Sequence, residues 1–567
     1  MMQFIDDISS VRIPPSYISS FLSSSNQNSG LPQLAVDGKV TSDIEDLRRF
    51  TSVRWLYDED KHTKPRYINF DPFALCNVAS DLVGTKCIRI NKVAEGTSNK
   101  VLLLTFDDGQ EIIARLPCPV AGPPHLITAS EVATMEFARS ILGIPVPKVL
   151  AWCSKADESS VGAEYILMEK APGVVLEDIW ENLGLDQRKT IVTQLTDIQL
   201  KFSTVQFSHY GNLYFRNDVQ GYPHTDQVFV DPAIDSETGS KFSIGPSVHW
   251  ELWRGTRAKL NVDRGPWKDR LSWITGLIRC QQEKLKKSSG PRHPSDPGFL
   301  DEEDGSPDVH IAVLEQLLSC FPAIMPNIDL CSPVLWHTDL NRGNIFVDPS
   351  TCVITSIIDW QWTKIAPLYI QAVLPHAFAY VGDDIEVSGD FLTSPRLPRG
   401  TRNLPDDQQD YLRAQLHDAY TMTWQQRIIN LTHPWGTIQS IPHLELILDP
   451  IRRAPRTWTD GLTPLRFMML EIQDNWDQIT HGEPCPLHFS EEERAHIMHL
   501  TEKAALYESM IHQITEELHV DDEGMVETSR YNEVLQICEK LKLEWDAKEM
   551  GGPFPLQSGR QRILVAE

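Results

Sequence analysis

The sequence predicts an α+β chain of two lobes, a small antiparallel sheet crossed by one helix and then a larger helical lobe. Three observations carry this. Runs of β-forming residues separated by turn signals lie between residues 87 and 168, one helix-period segment interrupts them, and apolar residues recur at helical spacing beyond Gly173. Of the 567 residues 41% are hydrophobic and 8% aromatic, enough apolar material for a large core. Wholesale disorder, collagen-like repeats and a disulfide scaffold are excluded as overall classes.

The elements follow in order. Residues 1–47 read as a flexible amino-terminal extension. Phe50-Thr-Ser-Val-Arg-Trp55-Leu-Tyr57 is aromatic and charged, suited to docking on a domain surface. Cys87-Ile-Arg-Ile90 and Lys100-Val-Leu-Leu-Leu-Thr-Phe106 read as strands, and Asp107-Asp108-Gly109 is a hairpin turn leading to the return strand Glu111-Ile-Ile-Ala-Arg-Leu116. A helix capped by Ser130 carries Val132, Met135, Ala138 and Leu142 on one side and stops at Gly143 and Pro145. A strand pair is expected at Lys148–Trp152 and Glu164–Met168. Ile191, Leu195, Ile198, Phe202 and Val205 then line a helix opened near Asp186. The lobes span 48–168, including the docking segment, and 169–490, with a loop-like insertion near 286–309. The final stretch, 491–567, opens on a capping box of Ser490 and Glu493. Residues 491–549 hold 16 acidic and 6 basic side chains, read as a solvated helical face.

Charge and cysteines narrow the function classes. The 52 Lys and Arg against 78 Asp and Glu give −26, which disfavours nucleic acid or an anionic membrane as partner. No apolar run approaches the roughly 18 residues that span a bilayer. The ten cysteines form no C-x-x-C pair and read as buried thiols in a reducing compartment.

The chemistry concentrates in Trp336-His337-Thr338-Asp339-Leu340-Asn341-Arg342-Gly343-Asn344-Ile345-Phe346-Val347, followed by the turn Asp348-Pro349-Ser350 and by Val353-Ile354-Thr355-Ser356-Ile357-Ile358-Asp359-Trp360. Asp339 sits on a loop, and Asn344 follows where the chain enters a strand. The hairpin then returns the chain so that Asp359 ends beside Asn344. Two hard oxygen donors side by side suit Mg2+, and Asp339 remains free to orient and deprotonate a hydroxyl. Phosphoryl transfer needs this set, since its loose transition state calls for positioning and charge neutralisation.

The pattern H-x-D-x-x-x-x-N with a later I-I-D resembles the catalytic loop and metal-binding Asp of the protein-kinase-like fold. His337–Asn344 and Ile357–Trp360 look like the aminoglycoside phosphotransferase (choline kinase-like) family. Asp359 is not followed by Phe-Gly, and no Ala-Pro-Glu comes after it, which favours a small-molecule acceptor over a protein. The resemblance implies ATP as the second substrate. It makes Ile166-Leu-Met-Glu-Lys-Ala-Pro-Gly173 the interlobe hinge, with Met168 behind adenine and the backbone at Glu169 and Ala171 bonding it. It places Arg115 on the nucleotide phosphates with Glu131 as partner. Gly96 and Ser98, in Ala94-Glu95-Gly96-Thr97-Ser98-Asn99, take the place of a phosphate-covering loop, although a plain hairpin turn fits the same residues. His337 is counted with the catalytic set as a brace for the loop.

Finer similarity, through Phe50–Tyr57, Ser130–Met135, His209–Tyr214 and Ile357–Gln361, is to the fungal "altered inheritance of mitochondria" branch, which implies a mitochondrial location. The first thirty residues, with Asp6, Asp7 and only Arg12 as a basic residue, make a weak presequence, and a cytoplasmic location is the alternative. The expected activity is ATP- and Mg2+-dependent phosphorylation of a small-molecule hydroxyl. The rival is a nucleotide-binding scaffold without turnover. Asp383, Asp384 and Glu386 are candidates for an acidic acceptor wall.

Overall fold

Alternation along residues 101–106 sets the small lobe: the even-numbered side chains from Leu102 to Phe106 are buried and those between are half-buried, so one face of the strand packs on a core. The computed structural model describes residues 33–35, 44–231, 234, 239–288, 290–292, 296, 299–372, 378–380, 382–389, 391, 393–432, 434–480, 482–521, 523–547, 550 and 552–557. The expected extension over 1–47 therefore lies mostly outside the described residues.

The N-lobe sheet contains β1 (Gln33–Ala35), β3 (Cys87–Glu95), β4 (Asn99–Phe106), β5 (Glu111–Pro117), β6 (Val149–Cys153) and β7 (Tyr165–Glu169). Its order is β1-β3-β4-β5-β7-β6, antiparallel throughout. Helix α1 (Pro72–Val83) covers the lobe's outer core; Asp71 caps it by accepting from the Phe73 and Ala74 N–H groups. The crossing helix, α2 (Leu126–Ser140), begins one turn earlier than the sequence suggests. It starts after His125, at φ 67°, and Ser130 lies inside it, bonded to Asn212 rather than capping. The apolar run Leu126-Ile127 is buried and extends the helix backwards, a tertiary effect that local capping signals do not carry.

Beyond the hinge, β8 (Val174–Val175) joins a small sheet in the order β13-β12-β8 with β12 (Ile345–Val347) and β13 (Ile354–Ile357). A second ribbon pairs β9 (Asn212–Phe215) with β10 (Phe242–Gly245), and a third pairs β11 (Pro333–Trp336) with β14 (Lys364–Pro367). Helices α3 (Leu185–Ser203), α4 (Arg270–Lys286), α5 (Pro307–Ile324), α6 (Asp406–Asn430), α7 (Glu445–Arg453) and α8 (Thr463–Asp474) build the rest of this lobe. The expected apolar side of α3 is buried at Ile191, Leu195, Ile198 and Phe202. The insertion near 286–309 is not simply a surface loop: Asp304, at its end, is buried and accepts from the Leu300 and Leu462 N–H groups.

The carboxy-terminal stretch also departs from a merely solvated face. Helix α9 (Glu491–Leu518) keeps the expected capping box and exposes Glu491, Glu492 and Glu493, yet it buries Ile497, Leu500, Ile511 and Ile514. The chain then crosses to the N-lobe side, where β15 (Met525–Glu527) pairs with β2 (Val53–Trp55) and α10 (Tyr531–Glu544) follows. Trp55 is buried, stacked on His62 with ring centroids 5.0 Å apart, and Arg66 lies over its ring. Buried Glu523 lies 3.8 Å from both His62 and Arg254, so the appendage touches the docking segment and the C-lobe together. None of the ten cysteines is in a disulfide.

Candidate active site

The candidate catalytic loop, residues 337–344, leads into the hairpin β12–β13. Ile345 faces Ile357, and the Ile358 N–H donates to the Asn344 carbonyl at 3.0 Å. That register puts Asp359 one residue past the pair, with φ 62°, a left-handed backbone that non-glycine residues seldom adopt. Asn344 is 2% exposed. Its Nδ2 donates to the Asp339 carbonyl at 2.9 Å and to Asp339 Oδ2 at 3.0 Å, which fixes the orientation of the amide. Its Oδ1 accepts from no donor among the described residues. Asn341, not singled out in the sequence, braces both neighbours: its Oδ1 accepts from the Asn344 N–H at 3.1 Å and its Nδ2 donates to Asp339 Oδ1 at 2.8 Å.

Asp339 is held above the ordinary carboxylate range by burial and by the charge of Asp359, against the pull of the two Asn amides. His337 is buried with both ring nitrogens engaged. Nε2–H donates to the Ile358 carbonyl at 3.0 Å and Nδ1 accepts from the Asp339 N–H at 3.2 Å. Trp360 meets its ring edge-on at 4.8 Å, and burial pushes its pKa down to about 4, so it is neutral at pH 7. With no free nitrogen it cannot carry a proton to a reactant; it ties the loop at Asp339 to the end of β13 at Ile358.

Across the lobes, Arg115 on β5 is 7% exposed. Its Nη1 donates to Glu131 of α2, and its Nη2 donates to Asp359 Oδ1 at 2.5 Å. Burial and the charge of Asp359 raise Glu131 to about 7 in spite of Arg115. The Asn99 carboxamide is best satisfied with its oxygen 2.7 Å from Arg115 Nη2 and its nitrogen on the Ser98 carbonyl. The Gln361 carboxamide lies 2.8 Å from that oxygen and satisfies it by presenting its N–H there. Asn99 and Gln361 stand in the quoted sequence motifs without a site role. The available signal was a Gln directly after Asp359-Trp360 and a polar residue opening a strand.

Residues 96–98 form a tight hairpin rather than an open phosphate-binding loop. The Gly96 N–H donates to the Asn99 carbonyl at 3.0 Å and is taken, while Ser98 is buried with its carbonyl accepting from Cys118. Arg66 holds the Thr97 carbonyl at 2.9 Å. Glu95 is buried beneath the turn, binding Lys92, Lys100 and the Thr51 and Ser52 N–H groups. A turn with one glycine and a buried carboxylate at its base is pinned to the docking segment.

At the hinge, Met168 is buried and the Glu169 N–H is already given to the Lys148 carbonyl at 3.0 Å. The Ala171 N–H has no acceptor among the described residues. Gly173, at φ 94°, follows because a Cβ there would lie 2.4 Å from the Val347 carbonyl of β12. Asp383, Asp384 and Glu386 are exposed, with Asp384 accepting from Tyr411 at 3.1 Å.

A model of the phosphotransferase enzyme family (APH) matches residues 89–260 and 293–374. A subtelomeric hrmA-associated cluster protein of Aspergillus fumigatus is 31% identical over 494 residues, covering 81% of this chain and 93% of that one. This chain belongs to the phosphotransferase enzyme family. Its fold is the two-lobed, kinase-like one. Altered inheritance of mitochondria protein 9, mitochondrial, of Saccharomyces cerevisiae is 24% identical over 457 residues, covering 74% of this chain and 70% of its own length. Among solved structures, the GDP complex of aminoglycoside 2'-phosphotransferase-IIIa is similar at 13% identity and a TM-score of 0.29, over 71% of this chain and 96% of that one. No described helix is long and apolar enough to cross a membrane.

Proposed function

We propose that this chain transfers the γ-phosphoryl group of ATP to a hydroxyl of a small molecule. The observation that carries the reading is the hairpin that ties Asp339, Asn344 and Asp359 together beneath Arg115. Asp339, with its raised affinity for a proton, orients the acceptor hydroxyl and takes its proton. Arg115, always charged and able to hold two oxygens, steadies the nucleotide phosphates. Glu131, Asn99 and Gln361 position it. The free Ala171 N–H is the hinge donor to adenine, and Met168 lies behind the base.

The donor set fits a divalent cation: Asn344 has its Nδ2 engaged and Oδ1 free among the described residues, and Asp359 has one oxygen on Arg115 and one left over. Asn344 and Asp359 would hold Mg2+, which supplies charge neutralisation between the terminal phosphates when bound. Membership of the family favours a small-molecule acceptor, and the relatives named as mitochondrial favour a mitochondrial location for this chain.

A second reading, a nucleotide-binding scaffold without turnover, is favoured by the closed turn at Gly96, which offers no free glycine N–H to a phosphate. A thermal-shift titration with Mg-ATP, followed by ADP release over a panel of alcohols, polyols and amino alcohols, separates the two. Turnover on any acceptor supports the transferase. Stabilisation by Mg-ATP with no ADP release on the whole panel supports the scaffold.

A further inference from the structure

Lys364 opens β14 directly opposite Trp336, three residues before Asp339. At no more than about 3.6 Å per residue along the chain and about 5 Å across the pair, its Cα is within about 16 Å of the Asp339 Cα. The segment holding His249 is fastened to the same strand. The Val248 N–H donates to Asn212 Oδ1 at 3.1 Å, and Asn212 Nδ2 donates to the Thr363 carbonyl at 2.7 Å. His249 and Lys364 thus lie one residue beyond the two ends of one buried bridge.

The charges around them do not balance. Lys364 Nζ has no hydrogen bond and no ion pair among the described residues. The groups in Coulombic range of it are Arg452, a second cation, and Glu251. Arg452 is engaged by Asp449 at 3.2 Å and Glu251 by Arg257 at 3.7 Å. Burial and Arg452 bring Lys364 down to about 8, so it still carries its charge at pH 7. His249 accepts the Glu251 N–H on Nδ1 at 3.3 Å. Burial and the Lys364 charge keep it neutral, which leaves an Nε2–H with no acceptor among the described residues. The chain has an excess of 26 acids over bases, yet none among the described residues forms an ion pair with Lys364. A half-buried cation without an anion and a nearby unused N–H donor together offer an anion two donors.

We propose that Lys364 and His249 bind an anionic group of the acceptor, so that the hydroxyl compound phosphorylated beside Asp339 also carries a carboxylate or a phosphate. This rests on the phosphotransferase reading above, and it replaces the acidic wall expected at Asp383, Asp384 and Glu386 with a cationic one.

The test is a calorimetric titration of the full chain saturated with Mg-ADP, so that the nucleotide cleft is filled, with glycerol, glycerate and glycerol 3-phosphate in separate arms. At least one anion is expected to bind about tenfold or more tightly than glycerol, and the arm that responds tells carboxylate from phosphate. Lys364→Gln should remove about tenfold or more of that affinity and Lys364→Arg should keep most of it, with Mg-ADP affinity unchanged as the check on folding. Lys503→Gln, an exposed lysine on α9, should change neither. Equal binding of all three compounds, no binding of either anion, or an anion affinity untouched by Lys364→Gln overturns the proposal. ADP release from Mg-ATP is scored separately. Lys364-dependent anion binding without any turnover keeps the site and removes the transferase reading, whereas turnover on glycerol with no Lys364-dependent anion binding does the reverse.

Discussion

Arg115 Nη2 donates to Asp359 Oδ1 at 2.5 Å, so a cation of the N-lobe sheet and an acid at the end of the C-lobe hairpin hold each other across the cleft. Both are also the residues proposed to meet the nucleotide phosphates and the metal. Their pairing means that ligand binding exchanges one set of charge-assisted bonds for another, rather than adding them to unengaged groups.

That exchange has a measurable consequence. Arg115→Met should weaken Mg-ATP binding by about tenfold to a hundredfold, the worth of a charge-assisted hydrogen bond pair, while tightening the binding of Mn2+ alone by releasing Asp359. Titration of Mn2+ by electron paramagnetic resonance, beside calorimetry with Mg-ATP, reads the two opposite effects. A fall in both affinities contradicts the competition.

Glu131 titrates at about 7, raised by burial and by Asp359. Its folded pKa lies above the unfolded value, so the native state binds the extra proton between about 4.5 and 7 and its contribution to stability declines as pH rises through that window. Deprotonation completes the clamp on Arg115. Mg-ATP affinity should therefore rise between pH 6 and 8, and the rise should vanish in Glu131→Gln. A parallel slope in both proteins, read by calorimetry, counts against the clamp.

Glu95 neutralises two buried lysines, Lys92 and Lys100, and anchors the Gly96 turn to Thr51 and Ser52. Glu95→Ala leaves two buried ammonium groups without an acid and should cost about 3–5 kcal/mol in urea denaturation. Hydrogen exchange should accelerate at Thr51 and Ser52, whose N–H groups lose their acceptor.

Gly173→Ala places a Cβ against the Val347 carbonyl at a positive φ. A loss of about 1–3 kcal/mol is expected from strain alone, with a higher KM for ATP because the hinge and β12 must part. Unchanged stability with an unchanged KM would show that the hinge tolerates the displacement.

Much of this architecture was legible locally. The turn Asp348-Pro349-Ser350 is closed by Asp348 Oδ1, which accepts from the Ser350 and Thr351 N–H groups, so the strands on either side could be paired from sequence spacing. The period-2 burial of β4 and the capping box at Ser490 were equally readable. Contacts between distant segments were not. The pairing of Val526 with Arg54, the approach of Gln361 to Asn99 and the second partner of Arg115 join residues hundreds of positions apart. No hydrophobic period records such a partner. The start of α2 shifted for a related reason: burial of Leu126 and Ile127 outweighed the capping preference of Ser130.

In the proposed transferase Asp339 acts on the acceptor hydroxyl while Asn344 and Asp359 serve the nucleotide's metal. Asp339→Asn tests it, assayed for Mg-ATP affinity and for ADP release with an acceptor the wild-type protein phosphorylates. Affinity within about threefold of wild type is expected, with a loss of turnover of at least about a hundredfold, the scale of general-base catalysis. Retained turnover, or equal loss of binding and turnover, contradicts it.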